Sequence, residues 1–529
     1  MTEKSPLLGD QAPLYPTITH PTDPNTDAVP PPYPSGPAPP TENALPPANQ
    51  YPKIESQNGW AGWQDRGFAI AFWIHFLVVI ILGFALGIPA LRADSLTPFD
   101  DPTRSTFDYN ADLFIRVFVG AAALSGLVAF ISFFILQRCA GRIIKCSLYI
   151  GVAIQILICV ILFIVAWPMG IITLIFVLLS IWYIYLVRNR VAFAEAHIQV
   201  GCAALRSHPS VLGVAIIMLI VQFVWVFIWG LMALGFEYYL NGNNKSSSNG
   251  VLGGLVAIVL LTSLFWGALT FRNITHFVTA CVVGQWWFTA DAHRQYAVEA
   301  SVQRAFTTSF GTISFGSLIL AFIKALRVVA QVNESNARRD GNIVILLVSC
   351  VAVCILRIFE GLVRYLNEWA FVYAALTGQS FRAASQSFLN LFQQRGWTLI
   401  INDDLAGHAL TIVTIAIGLI SAALGGIGVY AVMPTSPSRT AIAGMAAFFC
   451  FTIGITMGTI MSSILSSGVR TAFVCFAINP AALGATHPEH LQNLLLAWYK
   501  FHPQEFAQSG FAMHLPKPAA SSSDIYQHV

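Results

Sequence analysis

The chain has 529 residues, of which 56% are hydrophobic and only 10% charged, with a formal net charge of +3. A mean hydropathy of +0.66 would leave a water-soluble fold coated in apolar surface, so lipid is the expected solvent. The small net charge, without any Lys/Arg-rich run, removes the electrostatic basis for nucleic-acid binding.

Residues 1–66 are dense in Pro, Asn, Thr and acidic side chains and show almost no aliphatic periodicity. Such a segment cannot bury enough surface to offset its chain entropy, and it is expected to be a disordered, Pro-rich cytoplasmic tail. No charged n-region leads into an apolar h-region, so the first helix is expected to act as its own insertion signal. Two short motifs stand out. Pro30-Pro31-Pro32-Tyr33 is a PPxY string whose Pro30, Pro31 and Tyr33 suit the aromatic groove of a WW domain, such as those of ubiquitin ligases. Glu3-Lys4-Ser5-Pro6-Leu7-Leu8 resembles an acidic dileucine signal, with Glu3, Leu7 and Leu8 the positions that clathrin adaptors read on the way to endosome or vacuole. The compositional alternative is that a tail this rich in proline produces such strings by chance.

Apolar runs of bilayer-spanning length follow at 67–91, 113–137, 146–166, 171–187, 211–235, 251–283, 310–329, 343–361, 407–433 and 440–467. They predict an all-α, polytopic transmembrane helical bundle of about ten spans, with a transmembrane domain over 67–478. The sixth run is too long for one upright span and contains Arg272, Asn273 and His276, so it either extends past the bilayer or breaks into an eleventh element at 271–290. Arg138, Arg142, Lys145, Arg188, Arg190 and Arg206 crowd two short connections, which the positive-inside rule assigns to the cytoplasm. The acidic loop at 92–112 and the glycosylation sequon at Asn244 suit the outer face. Lys324, Arg327, Arg338 and Arg339 contradict that scheme by following the seventh span, where the count requires an external loop. The stretch 362–396 is expected as helices lying at the cytoplasmic interface. Residues 479–529, with five scattered histidines, are expected as a polar, solvated cytoplasmic tail.

Ionisable groups at membrane depth are costly and therefore mark candidate sites. One cluster is Arg272, Asn273, Thr275 and His276, followed by Gln285, Trp286 and Trp287. Arg357 and Glu360, three residues apart, are placed to pair on one helix face, and Asn367, Glu368 and Trp369 lie between Tyr365 and Tyr373. Aromatic faces attract cations, so Trp266, Trp286, Trp287, Trp369 and Tyr373 are candidates for a cage around a quaternary ammonium group; the competing reading is an interfacial aromatic belt. His276 is the candidate proton-coupling group, with Arg357 beside Glu360. Gly454 to Gly458 and the glycines at 425, 426 and 428 read as tight helix packing.

The nine cysteines form no CxxC pair and lie mostly in apolar stretches, which indicates neither a disulfide framework nor a metal site. No nucleotide-binding loop, HExxH or GxSxG motif is present, so neither an enzyme nor a cofactor is expected. Asp403-Asp404 beside His408 reads as a helix N-cap at the start of the ninth span.

The run His276 to Phe288 (HFVTACVVGQWWF), the step Ser314-Phe315-Gly316-Ser317-Leu318, and Asn367 to Phe388 (NEWAFVYAALTGQSFRAASQSF) together resemble the choline transporter-like family. The Pro-rich tail is similar to that of its fungal branch, the pH-nine-sensitive proteins. The resemblance covers roughly residues 60–480. It implies a ten-span plasma-membrane carrier with both termini cytoplasmic, whose animal members move choline or ethanolamine. A short first external loop and the long tail depart from those animal members. The expectation is therefore a carrier, not ATP-driven, of a small-molecule substrate, with choline or a related organic cation the leading class. A membrane-anchored adaptor acting through its PPxY tail, or a lipid-moving protein, are the alternatives. The expected location is the plasma membrane, with the vacuolar or endosomal membrane as the alternative.

Overall fold

The computed structural model describes residues 62–90, 104–165, 167–187, 191–242, 250–289, 297–432 and 439–501. The tail motifs at Glu3, Leu7, Leu8, Pro30, Pro31 and Tyr33, the sequon at Asn244 and most of the loop at 92–112 lie outside the described residues. Every regular element among the described residues is helical. In chain order they are α1 (Arg66–Leu82), a π-helical turn (Gly83–Gly87), α2 (Arg104–Val165), α3 (Trp167–Val187), α4 (Val191–Ser207), α5 (Ser210–Gly242) and α6 (Gly250–Phe288). They continue with α7 (Ala297–Phe306), α8 (Phe310–Arg339), α9 (Ile343–Thr377), α10 (Phe381–Val432), α11 (Arg439–Ile478), α12 (Pro480–Thr486) and α13 (Pro488–Phe501).

Nine helical segments among the described residues are long and apolar enough to cross a bilayer: Arg66–Ala90, Cys146–Val165, Trp167–Tyr185, Ser210–Tyr239, Gly253–Phe288, Phe310–Arg339, Ile343–Thr377, Ala409–Val432 and Arg439–Ile478. They coincide with nine of the ten expected spans. The place of the second, 113–137, is taken by helical backbone of α2 that includes the shorter apolar stretch Ala123–Ser132. The outward faces are apolar; Ile164, Trp167, Phe227, Val348 and Ile358 are all exposed. A hydrocarbon solvent accounts for that pattern, because every backbone polar group is satisfied inside a helix.

One open alternative about helix limits is decided and two expectations are corrected. The sixth run does not break: α6 is a single 39-residue helix, about 58 Å long at about 1.5 Å per residue, and it outruns the bilayer instead of adding a span. The stretch 362–396 is not a set of separate interfacial helices. It consists of the end of α9, closed by Gly378 at φ +73° with its N–H on the Ala374 carbonyl, and the start of α10. A residue with no Cβ is favoured at that left-handed position. Asp403 and Asp404 accordingly lie inside α10 and not at a helix start.

Small residues set the tightest contacts. A Cβ on Gly87 would stand 2.5 Å from the Leu231 carbonyl oxygen, and one on Gly235 2.5 Å from the Leu86 carbonyl carbon, so the π-helical turn and α5 cross almost backbone to backbone. Gly454 and Gly458 of α11 press in the same way on Ser421, Ile417 and Thr414 of α10. The GxxxG step thus serves helix packing.

The ends of the bundle are tied by polar contacts. Asp65 accepts hydrogen bonds at Oδ2 from Thr312 Oγ1 (2.9 Å) and from the Phe381 backbone N–H (2.8 Å), joining the starts of α1, α8 and α10. The segment from 479, expected as solvated tail, begins with the two helices α12 and α13. Leu483, Leu491, Leu494, Leu495 and Trp498 are buried in the main core. Trp287 Nε1 donates to the Asn479 carbonyl (3.1 Å), and Thr486 Oγ1 donates to the Trp287 carbonyl (3.0 Å), so this segment caps the end of α6.

Candidate functional site

The chemistry-bearing side chains converge where α6, α9, α10 and α11 meet around a cavity of about 530 Å³, a size ordinary for small-molecule sites. Arg272, Asn273 and His276 enter from α6, Gly361, Arg364, Tyr365 and Glu368 from α9, and Arg470 from α11. The remaining wall is a run of hydroxyls, Thr411 and Thr414 on α10 with Thr459, Ser462, Ser463 and Ser466 on α11.

Glu368 is the carboxylate of this cavity among the described residues. Arg470 Nη1 lies 2.6 Å from its Oε2, and Arg272 Nη2 4.0 Å from its Oε1. The Glu368 backbone carbonyl accepts from His276 Nε2 at 2.8 Å. A carbonyl can only accept, so Nε2 carries the proton and neutral His276 keeps Nδ1 as an acceptor. The His276 carbonyl in turn accepts from Ser467 Oγ of α11 at 3.0 Å. One ion pair and two hydrogen bonds therefore lock α6, α9 and α11 together at this level.

Below the charged group a second polar layer fixes the helix positions. Asn367 Nδ2 donates to the Gly316 carbonyl (2.7 Å), Asn273 Nδ2 to Ser317 Oγ (2.9 Å), and Trp266 Nε1 to the Ser314 carbonyl (3.0 Å). These contacts explain the Phe-Gly-Ser step on α8: a Cβ on Gly316 would fall 2.6 Å from Phe371 and Phe381. The hydroxyl wall is oriented too. Thr411, Thr414 and Thr459 each donate to a carbonyl four residues earlier, at 2.7 to 2.9 Å. Their protons are committed to the helix, which leaves lone pairs as the groups presented to a bound solute.

Of the residues singled out by sequence, the structure brings Arg272, Asn273, His276, Tyr365 and Glu368 into the cavity. Glu360 is paired elsewhere, with Arg327 and with Lys324 (3.8 Å) of α8, and not with Arg357, which is exposed. That pairing also places Lys324 and Arg327 in mid-helix against α9, so they belong to the bundle and not to a loop. The aromatic residues are not gathered into one cage. Trp286 stacks on His487 at 3.8 Å, Trp287 donates to Asn479, and Trp369 stacks on Phe388 at 5.4 Å. Trp266 stacks on His75 at 4.8 Å, and Tyr373 is half-buried away from the cavity lining. Sequence reading missed Arg470 and the hydroxyl wall. Their signal was a polar stripe at helical spacing, Thr411-Thr414 and Thr459-Ser462-Ser466-Arg470, inside otherwise apolar runs.

The chain is similar to known proteins over most of its length. Protein PNS1 of Gibberella zeae is 27% identical over 341 residues, an alignment that spans 63% of this chain and 63% of that relative. A CTL-like protein of Dictyostelium discoideum is 27% identical over 440 residues, 81% of this chain and 74% of its own length. Protein PNS1 of Eremothecium gossypii is 27% identical over 456 residues, 81% of this chain and 80% of its own. The family described as plasma-membrane choline transporter matches residues 171–481, more than half of the chain and all of the cavity's walls. The chain therefore belongs to the choline transporter-like family of multi-pass membrane transporters.

Proposed function

We propose that the protein is a carrier, driven by a gradient or by facilitated diffusion and not by ATP, that moves a small charged solute through the cavity between α6, α9, α10 and α11. The observation that carries this reading is the position of Glu368, a carboxylate inside the apolar helix α9 that joins three helices and faces a solute-sized space. Such a group is expensive in a bilayer unless function retains it. Choline or a related organic cation is the solute class, with Glu368, Tyr365 and the hydroxyl lone pairs receiving its cationic end. His276 is the group proposed to load and release a proton, because its Nδ1 is available once Nε2 is committed to the Glu368 carbonyl.

We place the protein at the plasma membrane. Its PPxY motif at Pro30, Pro31 and Tyr33 recruits a WW-domain ubiquitin ligase, and its dileucine motif at Glu3, Leu7 and Leu8 recruits clathrin adaptors, both setting abundance and not rate. The test is uptake of labelled choline and ethanolamine into proteoliposomes of the purified chain, with and without a pH gradient. Saturable uptake that Glu368→Gln abolishes supports the reading; uptake indifferent to that change removes Glu368 from the site. Uptake unaffected by the gradient and by His276→Gln removes proton coupling.

A further inference from the structure

Arg364 stands four residues from each of two carboxylates of α9, Glu360 and Glu368, which puts the three side chains on one helix face. Both carboxylates are already engaged, Glu360 by Lys324 and Arg327 and Glu368 by Arg470 at 2.6 Å. Arg364 makes no ion pair or hydrogen bond among the described residues, yet it is exposed and lines the cavity. Arg272, in the same cavity, reaches Glu368 only at 4.0 Å and its side chain remains 46% exposed. Two guanidinium groups thus bring unspent donors to one cavity inside a membrane protein.

A guanidinium inside a membrane-spanning helix is costly when its donors have no close acceptor. Its planar fork matches the oxygens of a phosphate or carboxylate better than it matches any neutral group. The wall formed by α10 and α11 presents the lone pairs of Thr411, Thr414 and Thr459, which suit donors and cations. The cavity is therefore bipolar.

Resting on the carrier reading above, we propose that Arg272 and Arg364 form an anion subsite in this cavity, which binds a phosphate-like oxyanion together with the cationic group of the solute. The oxyanion is either part of the solute, making it a zwitterion, or a separate inorganic ion bound beside it. In both cases the same two guanidinium groups hold it.

The test uses the purified full chain in detergent and a direct binding measurement with choline, inorganic phosphate, choline plus phosphate, and phosphocholine. If the oxyanion is part of the solute, phosphocholine binds about tenfold or more tighter than choline. If it is a separate ion, added phosphate tightens choline by a similar factor and phosphocholine has no advantage over the mixture. Either advantage is lost in Arg364→Gln and only partly kept in Arg364→Lys, which retains the charge but not the fork. Among the described residues Arg364 ties no helices together, so the glutamine variant tests binding without removing a described contact, and an unchanged melting temperature confirms it. Choline binding that is indifferent to phosphate, or a phosphate effect that survives Arg364→Gln, overturns the subsite. Uptake into proteoliposomes separates the two readings. Choline moved without any phosphate effect keeps the carrier and discards the subsite, whereas phosphate-dependent binding without uptake keeps the subsite and discards the carrier.

Discussion

Arg470 of α11 and Glu368 of α9 meet at 2.6 Å with side chains only 15% and 19% exposed. Breaking such a buried pair from one side leaves a charge without its partner and costs about 3–5 kcal/mol, whereas removing both charges costs far less. Arg470→Gln is therefore expected to lower the melting temperature in detergent more than the double change Arg470→Gln with Glu368→Gln. A double variant as unstable as the single would show that the pair's charge is not what matters.

Asn367 is buried and donates to the Gly316 carbonyl at 2.7 Å. Asn367→Ala removes this interhelical bond, although the carbonyl keeps its place in the α8 ladder, and is expected to cost about 0.5–1.5 kcal/mol. Asn367→Asp should do more damage, because it sets a carboxylate oxygen against a carbonyl oxygen. Thermal unfolding of the two variants, ranked Asp below Ala below wild type, checks the contact.

A Cβ on Gly425 would lie 2.2 Å from the Cys450 sulfur. Gly425→Ala is expected to destabilise the α10–α11 pair by about 1–3 kcal/mol through overpacking. Adding Cys450→Ala should recover most of that loss, since it removes the atom that is struck. Yield of monodisperse protein and melting temperature are the readouts.

His490 on α13 lies outside the spans, and burial pushes its pKa below the ordinary 6.5, with Glu489 opposing and Arg206 adding to the shift. A histidine whose folded pKa is depressed gives stability that is complete above its unfolded value and is lost as pH falls below it. As pH falls through the ordinary histidine value of 6.5 the α13 cap should loosen, and His490→Gln should flatten that part of the pH dependence. Hydrogen exchange over residues 488–501, corrected for intrinsic rate, measures it.

The spans were legible because a bilayer demands long apolar runs and nothing else in the chain imitates them. His276 was legible for the converse reason, as an ionisable group inside such a run, and Glu368 as a carboxylate flanked by aromatic residues just beyond one. Pairing was not, because Glu360 could choose among several bases and sequence spacing favours only those on its own helix. Arg357 is three residues away, yet Lys324 and Arg327 come from α8 with the better approach. The aromatic residues misled in a different way. Indoles fill core space well, and Trp286, Trp287 and Trp369 are almost wholly buried against protein neighbours. The tail beyond 479 hid a readable signal: Leu491, Leu494, Leu495 and Trp498 recur at helical spacing and form the buried face of α13.

The end of α6 is held by residues 479–486, nearly two hundred positions later in the chain. During synthesis the ribosome delivers α6 long before its cap exists, so Trp287 must wait with its indole N–H unmatched until the last helices emerge. Premature termination or a bulky fusion placed before residue 479 would thus harm the middle of the protein, and quality control would see the fault at a helix whose own sequence is intact.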